Sequence, residues 1–310
     1  MISKLLSLFL GIFLLFSSSV SAKELVIGKN NFGEVDLTGH IATLVDTHIV
    51  WNWGQLPKED KLWDTSINGN FLSGSLTESA YWYKIEMDNT LDDYYLLLSR
   101  VLLDFVDVYF VGDSGLIRHS RSGAVFAFSE REVDIPNYCF LLPKGTYTSY
   151  IRLKSENNFQ FPLSIVSSGE ILKQERQYSL VLGFYFGILI FLIFYNLLIY
   201  LSLKDKTYLY YILYLSFLII VNATVKGITF QYLWPTVPYL NWLTSLYAAV
   251  TLIFMALFVM SLLQTKIYLP KFTSWFYLFI GSFILVMIIN LMSKQISSII
   301  IQFTTVFFFF

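Results

Sequence analysis

Three things are scarce in this chain of 310 residues: cysteine, histidine and charge. The single cysteine, Cys139, excludes an intramolecular disulfide, so any exported part must be stabilised by core packing alone. Cys139 lies in an apolar run and is expected to be a small buried residue of a strand. The three histidines, His40, His48 and His119, lack metal-ligand spacing, so no metal site and no other cofactor is predicted.

Catalytic patterns and basic tracts are also missing. The sequence has no nucleophile elbow and no phosphate-binding glycine loop, and we expect no enzymatic activity from these residues. The formal net charge is −1, and no basic tract is present, so a nucleic-acid partner is not predicted. Charged residues make up 14% of the chain, against about 25% in soluble domains, and they almost vanish after Arg176.

The first 22 residues have the pattern of a cleavable signal peptide. Lys4 supplies the positive start, residues 5–16 are apolar, and Val20 and Ala22 occupy the small-residue positions of the cleavage site. The apolar run is shorter than the roughly 20 residues that a membrane helix needs. Residues 1–22 are therefore predicted to direct export and to be removed, with an uncleaved anchor as the alternative.

Residues 23–170 have the pattern of strands. Apolar and polar side chains alternate in residues 81–87 and 147–154, and the turn at residues 112–115 indicates a hairpin. Short strands at intervals of about ten residues predict an all-β, jelly-roll-like sandwich in the periplasm.

The remainder, residues 177–310, is predicted to form an α-helical transmembrane bundle of about five spans, the last of them incomplete. The predicted spans are residues 178–203, 207–225, 239–263, 272–292 and 296–310. The signal peptide exports the sandwich, so the first span runs from outside to inside. The lysine-containing loops 204–206 and 266–271 are then cytoplasmic, which agrees with the positive-inside rule.

The first span carries two candidate packing features. Gly183 and Gly187 form a small-xxx-small pair that allows close approach of another helix. Asn196 lies on roughly the opposite face and is expected to form interhelical hydrogen bonds. Together they predict a helix that is enclosed by its neighbours.

Two strands carry residue types that suit a sugar on the face opposite their apolar side. A sugar needs a flat aromatic ring and a few charged hydrogen-bond partners. The candidate ligand-binding residues are Trp82, Lys84, Glu86, Tyr150 and Arg152. An ordinary solvent face is the alternative, although an exposed Trp82 would be unfavourable without a function. Trp51, Trp53 and Trp63 lie in loop-like sequence and are expected to anchor those loops to the core.

Several motifs, in order along the chain, resemble one family. They are Gly183-Phe-Tyr-Phe-Gly187, Tyr195-Asn196, Lys204-Asp205-Lys206 with the tyrosines that follow, and Gln231-Tyr-Leu-Trp-Pro235. These resemble the bacterial seven-transmembrane receptors with diverse intracellular signalling modules. Upstream, Tyr81-Trp-Tyr-Lys84, Asp107-Val-Tyr-Phe110 and Gly115 are similar to the extracellular sandwich domain, type two, that often precedes this membrane module.

The resemblance implies a receptor in the bacterial inner membrane. Its outer domain would sense a ligand such as a carbohydrate, and its helices would relay the signal to a cytoplasmic kinase, diguanylate cyclase or phosphatase. The sequence contains no such output domain and five spans at most, so a receptor fragment is predicted. The alternative is a membrane-anchored sugar-binding or envelope protein without signalling output. A transporter is disfavoured because no charged residue falls in the middle of a span.

Overall fold

The computed structural model describes residues 24–28, 34–35, 37, 39–57, 62–65, 71–74, 79–155 and 159–290. The predicted signal peptide and the predicted span at 296–310 lie outside these residues. Strands occupy the described chain up to Ser167, and helices follow from Ser168. The predicted fold class, a β-sandwich followed by a transmembrane helical bundle, is confirmed.

Six strands form the first sheet. In hydrogen-bonded order they are β1 (Leu25–Ile27), β5 (Ala80–Asn89), β10 (Gly145–Lys154), β7 (Phe105–Gly112) and β8 (Gly115–Ser122), with β3 (Ala42–Asp46) pairing along β5. β1 runs parallel to β5, and the other pairs are antiparallel. The predicted hairpin is β7–β8, and its turn places Gly115 at a φ of 117°, a left-handed conformation that favours glycine.

Five strands form the second sheet. Its order is β2 (Glu34–Val35), β11 (Phe159–Ser167), β6 (Tyr94–Leu98) and β9 (Tyr138–Leu141), and β4 (Phe71–Gly74) also pairs with β11. All pairs in this sheet are antiparallel.

The core lies between the two sheets. The predicted alternation in β5 and β10 places Tyr83, Ile85 and Ile151 inside, all fully buried. They form one cluster with Leu96 and Phe161 of the second sheet. Period-two alternation therefore identifies the inward face of each strand correctly.

Cys139 is a free, buried residue of β9. Burial raises the pKa of its thiol to about 12, so the reactive thiolate is scarce at neutral pH. It packs with Leu97, Val166 and Ile171 as a small hydrophobic side chain.

We expect residues 23–170, expressed alone, to fold as a soluble monomer whose thermal midpoint is the same with and without a reducing agent. The physical reason is that core packing, with no disulfide, stabilises this part of the chain. Thermal unfolding by circular dichroism with and without a phosphine reductant checks this. A marked drop on reduction would reveal an intermolecular disulfide at Cys139.

Four helices in the part of the chain that the structure describes are long and apolar enough to cross a membrane. They are α1 (Ser168–Leu203), α2 (Lys206–Val225), α5 (Thr244–Leu262) and α7 (Pro270–Asn290). Three shorter helices connect them, namely α3 (Ile228–Tyr232), α4 (Tyr239–Trp242) and α6 (Thr265–Tyr268). α2 packs between α1 and α5, and α5 packs on α7.

Two helix bounds differ from the predicted spans by more than two residues. α1 begins at Ser168, well before residue 178, because Ser167 caps it by accepting a hydrogen bond from Glu170 N at 3.4 Å. The stretch predicted as one span at 239–263 is interrupted at Leu243, which separates α4 from α5. There Asn241 accepts hydrogen bonds from Trp234 Nε1 (2.9 Å) and from the Thr244 hydroxyl (2.5 Å), which fix the bend.

The expected enclosure of α1 is not seen among the described residues. A methyl group added at Gly183 or Gly187 would meet no described atom within 4 Å, so no described helix packs closely on this face. Asn196 is buried, but its amide donates to Leu192 O of its own helix at 2.8 Å rather than to another helix. Among the described membrane helices, α2 is the main packing neighbour of α1.

Candidate functional site

Trp82 is fully buried, so the prediction of an exposed sugar-stacking ring at this position is corrected. The chain after β3 folds over it. The Asp46 carboxylate accepts hydrogen bonds from Val50 N at 3.1 Å and Trp51 N at 3.0 Å, which turns the chain back. Further on, Asp64 pairs with Thr43 of β3 through two backbone hydrogen bonds of 2.8 Å.

The covering loop is anchored by tryptophans, as the sequence predicted for Trp51, Trp53 and Trp63. Trp63 is buried and packs in one cluster with Trp82 and Leu56. Trp51 and Trp53 are partly buried against the same cluster. Trp82 thus belongs to a second, smaller core on the outer side of the six-stranded sheet.

Beside this small core, two rows of side chains cross the sheet in register. The first row contains Trp82, Arg152, Asp107 and Arg121, and the second contains Lys84, Tyr150, Tyr109 and His119. We call these eight residues the ladder face. Directly opposite residues on neighbouring strands lie close enough to interact, so each row is a chain of contacts.

Asp107 lies at the centre of the ladder face, buried beneath three basic groups. Its carboxylate is 3.2 Å from His119 Nε2, 3.7 Å from Arg152 Nη1 and 3.8 Å from Arg121 Nε. The side chain of Asp107 is 8% exposed, while that of Arg121 is 54% exposed. A buried carboxylate therefore orients basic groups whose outer edges remain in contact with solvent.

Partly exposed aromatic rings border this charge cluster. Tyr109 and His119 stack face to face, with ring centroids 4.3 Å apart and an angle of 1° between the planes. Tyr109 also stacks with Trp53 at 6.2 Å and Trp82 at 6.0 Å. Burial, and then the charge of Asp107, raises the pKa of Tyr109, so its phenol stays protonated at neutral pH and can donate a hydrogen bond.

The other predicted ligand residues differ in accessibility. Lys84 forms an ion pair with Glu86 on the same strand at 2.8 Å. Tyr150 packs against Trp63 at 6.0 Å between ring centroids. The Arg152 guanidinium lies 5.7 Å from the Trp82 ring and is partly exposed. Of the five predicted residues, Arg152 is therefore the one placed both at the charge cluster and near solvent.

Four residues of the ladder face were not predicted from the sequence to belong to a site, namely Asp107, Tyr109, His119 and Arg121. Asp107 and Tyr109 do alternate with buried Val106 and Val108, which is a usable signal. The pairing of β7 with β10 and β8, however, depends on register, which the sequence does not reveal. Within the described ranges, no group of three or more His, Cys, Asp or Glu side chains is arranged to hold a metal ion.

A second feature is the contact between the sandwich and the loop that joins α2 to α5, which we call the junction. Phe128 N donates to Pro235 O at 2.8 Å, and the rings of Phe128 and Phe230 meet edge-on at 5.4 Å. The Gln231 amide donates to Asp134 Oδ1 at 3.0 Å and to Asp134 O at 3.1 Å. The sandwich therefore binds the membrane bundle away from the covalent connection.

Arg131 organises the sandwich side of the junction. Its guanidinium donates to four backbone carbonyl oxygens, those of Val101, Ile135, Pro136 and Asn137. It also lies over the rings of Phe128 (4.7 Å), Tyr138 (4.3 Å) and Phe230 (5.6 Å). Burial lowers the pKa of Arg131, but a guanidinium remains charged at any physiological pH. The Arg131 guanidinium thus connects two loops of the sandwich to the Phe230 ring of the membrane bundle.

Two family models match the chain, one after the other. Residues 38–167 match the model described as 7TMR-DISM extracellular 2, and residues 178–310 match the one described as 7TM diverse intracellular signalling. The chain belongs to this receptor family. Comparison with curated proteins finds no significant match.

The family assignment agrees with the geometry. The receptor is a multi-pass membrane protein with an extracellular domain, and its helices are embedded in a lipid bilayer. The extracellular match covers β3 to β11 and so includes the ladder face. The membrane match begins at residue 178, less than one turn after the last charged side chains of α1, Glu175 and Arg176.

Proposed function

We propose that this receptor senses a carbohydrate at the ladder face and transmits binding through the junction to its membrane helices. The observation that carries the proposal is the partly exposed Tyr109–His119 stack beside the buried Asp107. The C–H faces of a sugar pack on aromatic rings. Sugar hydroxyls accept hydrogen bonds from guanidinium groups, which Arg121 and Arg152 supply, while the buried Asp107 holds both guanidinium groups in place.

The proposed location is the bacterial inner membrane, with the sandwich in the periplasm. The helices pass the signal to a cytoplasmic signalling domain or protein, and the 310 residues themselves catalyse no reaction. The support for the relay is the double attachment of the sandwich, covalently through α1 and non-covalently through the junction. A ligand that changes the conformation of the sandwich therefore affects both attachments to the membrane helices at once.

Replacing Tyr109 by alanine is expected to weaken oligosaccharide binding by about 1–2 kcal/mol, roughly five- to thirtyfold, because the Tyr109–His119 stack is lost. Tyr109→Phe keeps the ring and should retain most of the affinity. Binding of residues 23–170 to an oligosaccharide array, followed by calorimetry with the best-bound sugar, measures this.

Tyr95→Ala is the matched control, because it removes a strand tyrosine from the second sheet, away from the ladder face. Equal losses for Tyr95→Ala and Tyr109→Ala would contradict the assigned face. Hydrogen exchange of residues 226–242 in the full chain, with and without bound sugar, tests the relay. Unchanged exchange at saturating sugar would favour a membrane-anchored sugar-binding protein without signalling output.

A further inference from the structure

A cavity of about 410 Å³ lies where the sandwich meets the first two membrane helices. α1 supplies Gln174, Glu175, Gln177, Tyr178 and Val181, and Lys226 at the end of α2 faces them. On the sandwich side it is lined by Val101, Pro136 and Asn137. Three separate parts of the chain therefore build this cavity.

The cavity lies at the level of lipid headgroups. Arg176 is the last charged residue before the uncharged stretch 177–203, so the hydrocarbon boundary on α1 is close to Tyr178. Lys226 is the first charged residue after α2, and its ammonium is 5.6 Å from the centre of the Tyr178 ring. Both helices thus place this cavity at the outer interface of the bilayer, where tyrosine and lysine are favoured.

The cavity contains one group of each charge that has no ion pair and no hydrogen bond in the part of the chain that the structure describes. Neither the Glu175 carboxylate nor the Lys226 ammonium has an ion pair or a hydrogen bond there. Two other charged residues of α1, Glu170 and Lys173, do have a partner, because they form an ion pair with each other at 3.3 Å. A half-buried carboxylate and ammonium without hydrogen-bond partners are unfavourable unless a ligand or water satisfies them.

We propose that this cavity binds the headgroup of a phospholipid that carries a phosphodiester and a primary ammonium, such as phosphatidylethanolamine. Lys226 pairs with the phosphate, and Glu175 accepts hydrogen bonds from the lipid ammonium. The amides of Gln174, Gln177 and Asn137 supply further donors to phosphate and ester oxygens.

The membrane side of the cavity suits an acyl chain. Val181 lines it, and Ile188, seven residues further along α1 on the same side, is exposed and apolar. A choline headgroup has no N–H to donate to Glu175, and a glycerol headgroup has no ammonium at all. The pair of unlike charges therefore distinguishes this lipid from the other two types.

The test is native mass spectrometry of the full chain released from mixed-lipid nanodiscs. We expect phosphatidylethanolamine to be retained about tenfold over phosphatidylcholine and phosphatidylglycerol, the difference expected from one charge-assisted hydrogen bond. Glu175→Gln should abolish the preference for ethanolamine over choline, and Lys226→Gln should lower retention of all three lipids. Glu170→Gln and Lys173→Gln, on the same helix but outside the cavity, should change nothing.

Equal retention of the three lipids by the unmodified chain would overturn the proposal. It would also be overturned if Glu175→Gln kept the ethanolamine preference, or if Lys226→Gln retained all three lipids as well as the unmodified chain does. Soluble O-phosphoethanolamine distinguishes a lipid from a free ligand, and we expect it to compete weakly because it lacks acyl chains. Competition as strong as that of the lipid would assign the cavity to a soluble phosphate ester instead.

Discussion

Replacing Trp82 by alanine is expected to lower the free energy of unfolding of the extracellular domain by about 3–5 kcal/mol, the usual effect of removing a fully buried aromatic side chain. Trp82 is 0% exposed and packs under Trp63 and Leu56, so a cavity remains when its ring is deleted. For a domain of this size, the thermal midpoint should fall by roughly 10–20 °C. Calorimetric unfolding of residues 23–170 measures the change.

Trp82→Phe separates the role of ring volume from that of the indole N–H. Trp82 Nε1 is buried and has no hydrogen-bond partner among the described residues. Removing this unsatisfied donor offsets part of the lost packing, so Trp82→Phe should be much less destabilising than Trp82→Ala. If Trp82→Ala instead leaves stability unchanged and abolishes sugar binding, Trp82 is a ligand residue and the buried assignment is wrong.

Arg131→Ala is expected to destabilise the extracellular domain of the full receptor by about 3 kcal/mol or more, since hydrogen bonds to charged groups contribute about 1.5–3 kcal/mol each. The substitution removes the donor for four backbone carbonyl oxygens. It also removes the cation that lies over Phe230 of the membrane bundle. Thermal unfolding of the full chain in nanodiscs checks the first effect.

A double-mutant cycle of Arg131→Ala with Phe230→Ala isolates the contact across the junction. A coupling energy of about 0.5–2 kcal/mol is expected from a cation over an aromatic ring. Arg118→Ala is the matched control, because Arg118 pairs with Glu132 at 2.7 Å within the sandwich alone. Strict additivity of Arg131→Ala and Phe230→Ala would show that the two halves of the receptor are energetically independent at this contact.

Local periodicity predicted much of the sandwich, because the direction of each strand side chain follows from its neighbours in sequence. Ile85 and Ile151 are inside, as predicted. The same periodicity failed for Trp82, because alternation assigns a side chain to a face of the sheet but does not reveal what covers that face. The cover comes from a loop whose fold depends on Asp46 and on pairing with Thr43, a contact that no short-range pattern encodes.

The ladder face shows a second limit of prediction from the sequence. Arg152 was selected from its own strand, while its partner Asp107 lies 45 positions earlier and on another strand. Which residues face each other depends on strand order and register, and both are set by the whole sheet. In α1, the Gly183 and Gly187 pattern predicts a close helix neighbour, but spacing on one helix does not identify which helix supplies it, and none of the described residues comes within 4 Å of a methyl group added at either position.

β11 passes into α1 without a linker, and this continuity fixes the rotational phase between the two halves of the receptor. The last β11 residue, Ser167, still pairs with Tyr94, and Ser168 N donates to Asp93 O at 3.0 Å. An α-helix turns about 100° per residue, so one extra residue after Ser168 would rotate Asn196 away from α2. Seven extra residues, close to two full turns, would nearly restore its direction. Chimaeric receptors that exchange extracellular domains therefore have to conserve helical phase at this point, and spacing rather than sequence identity decides which exchanges are compatible.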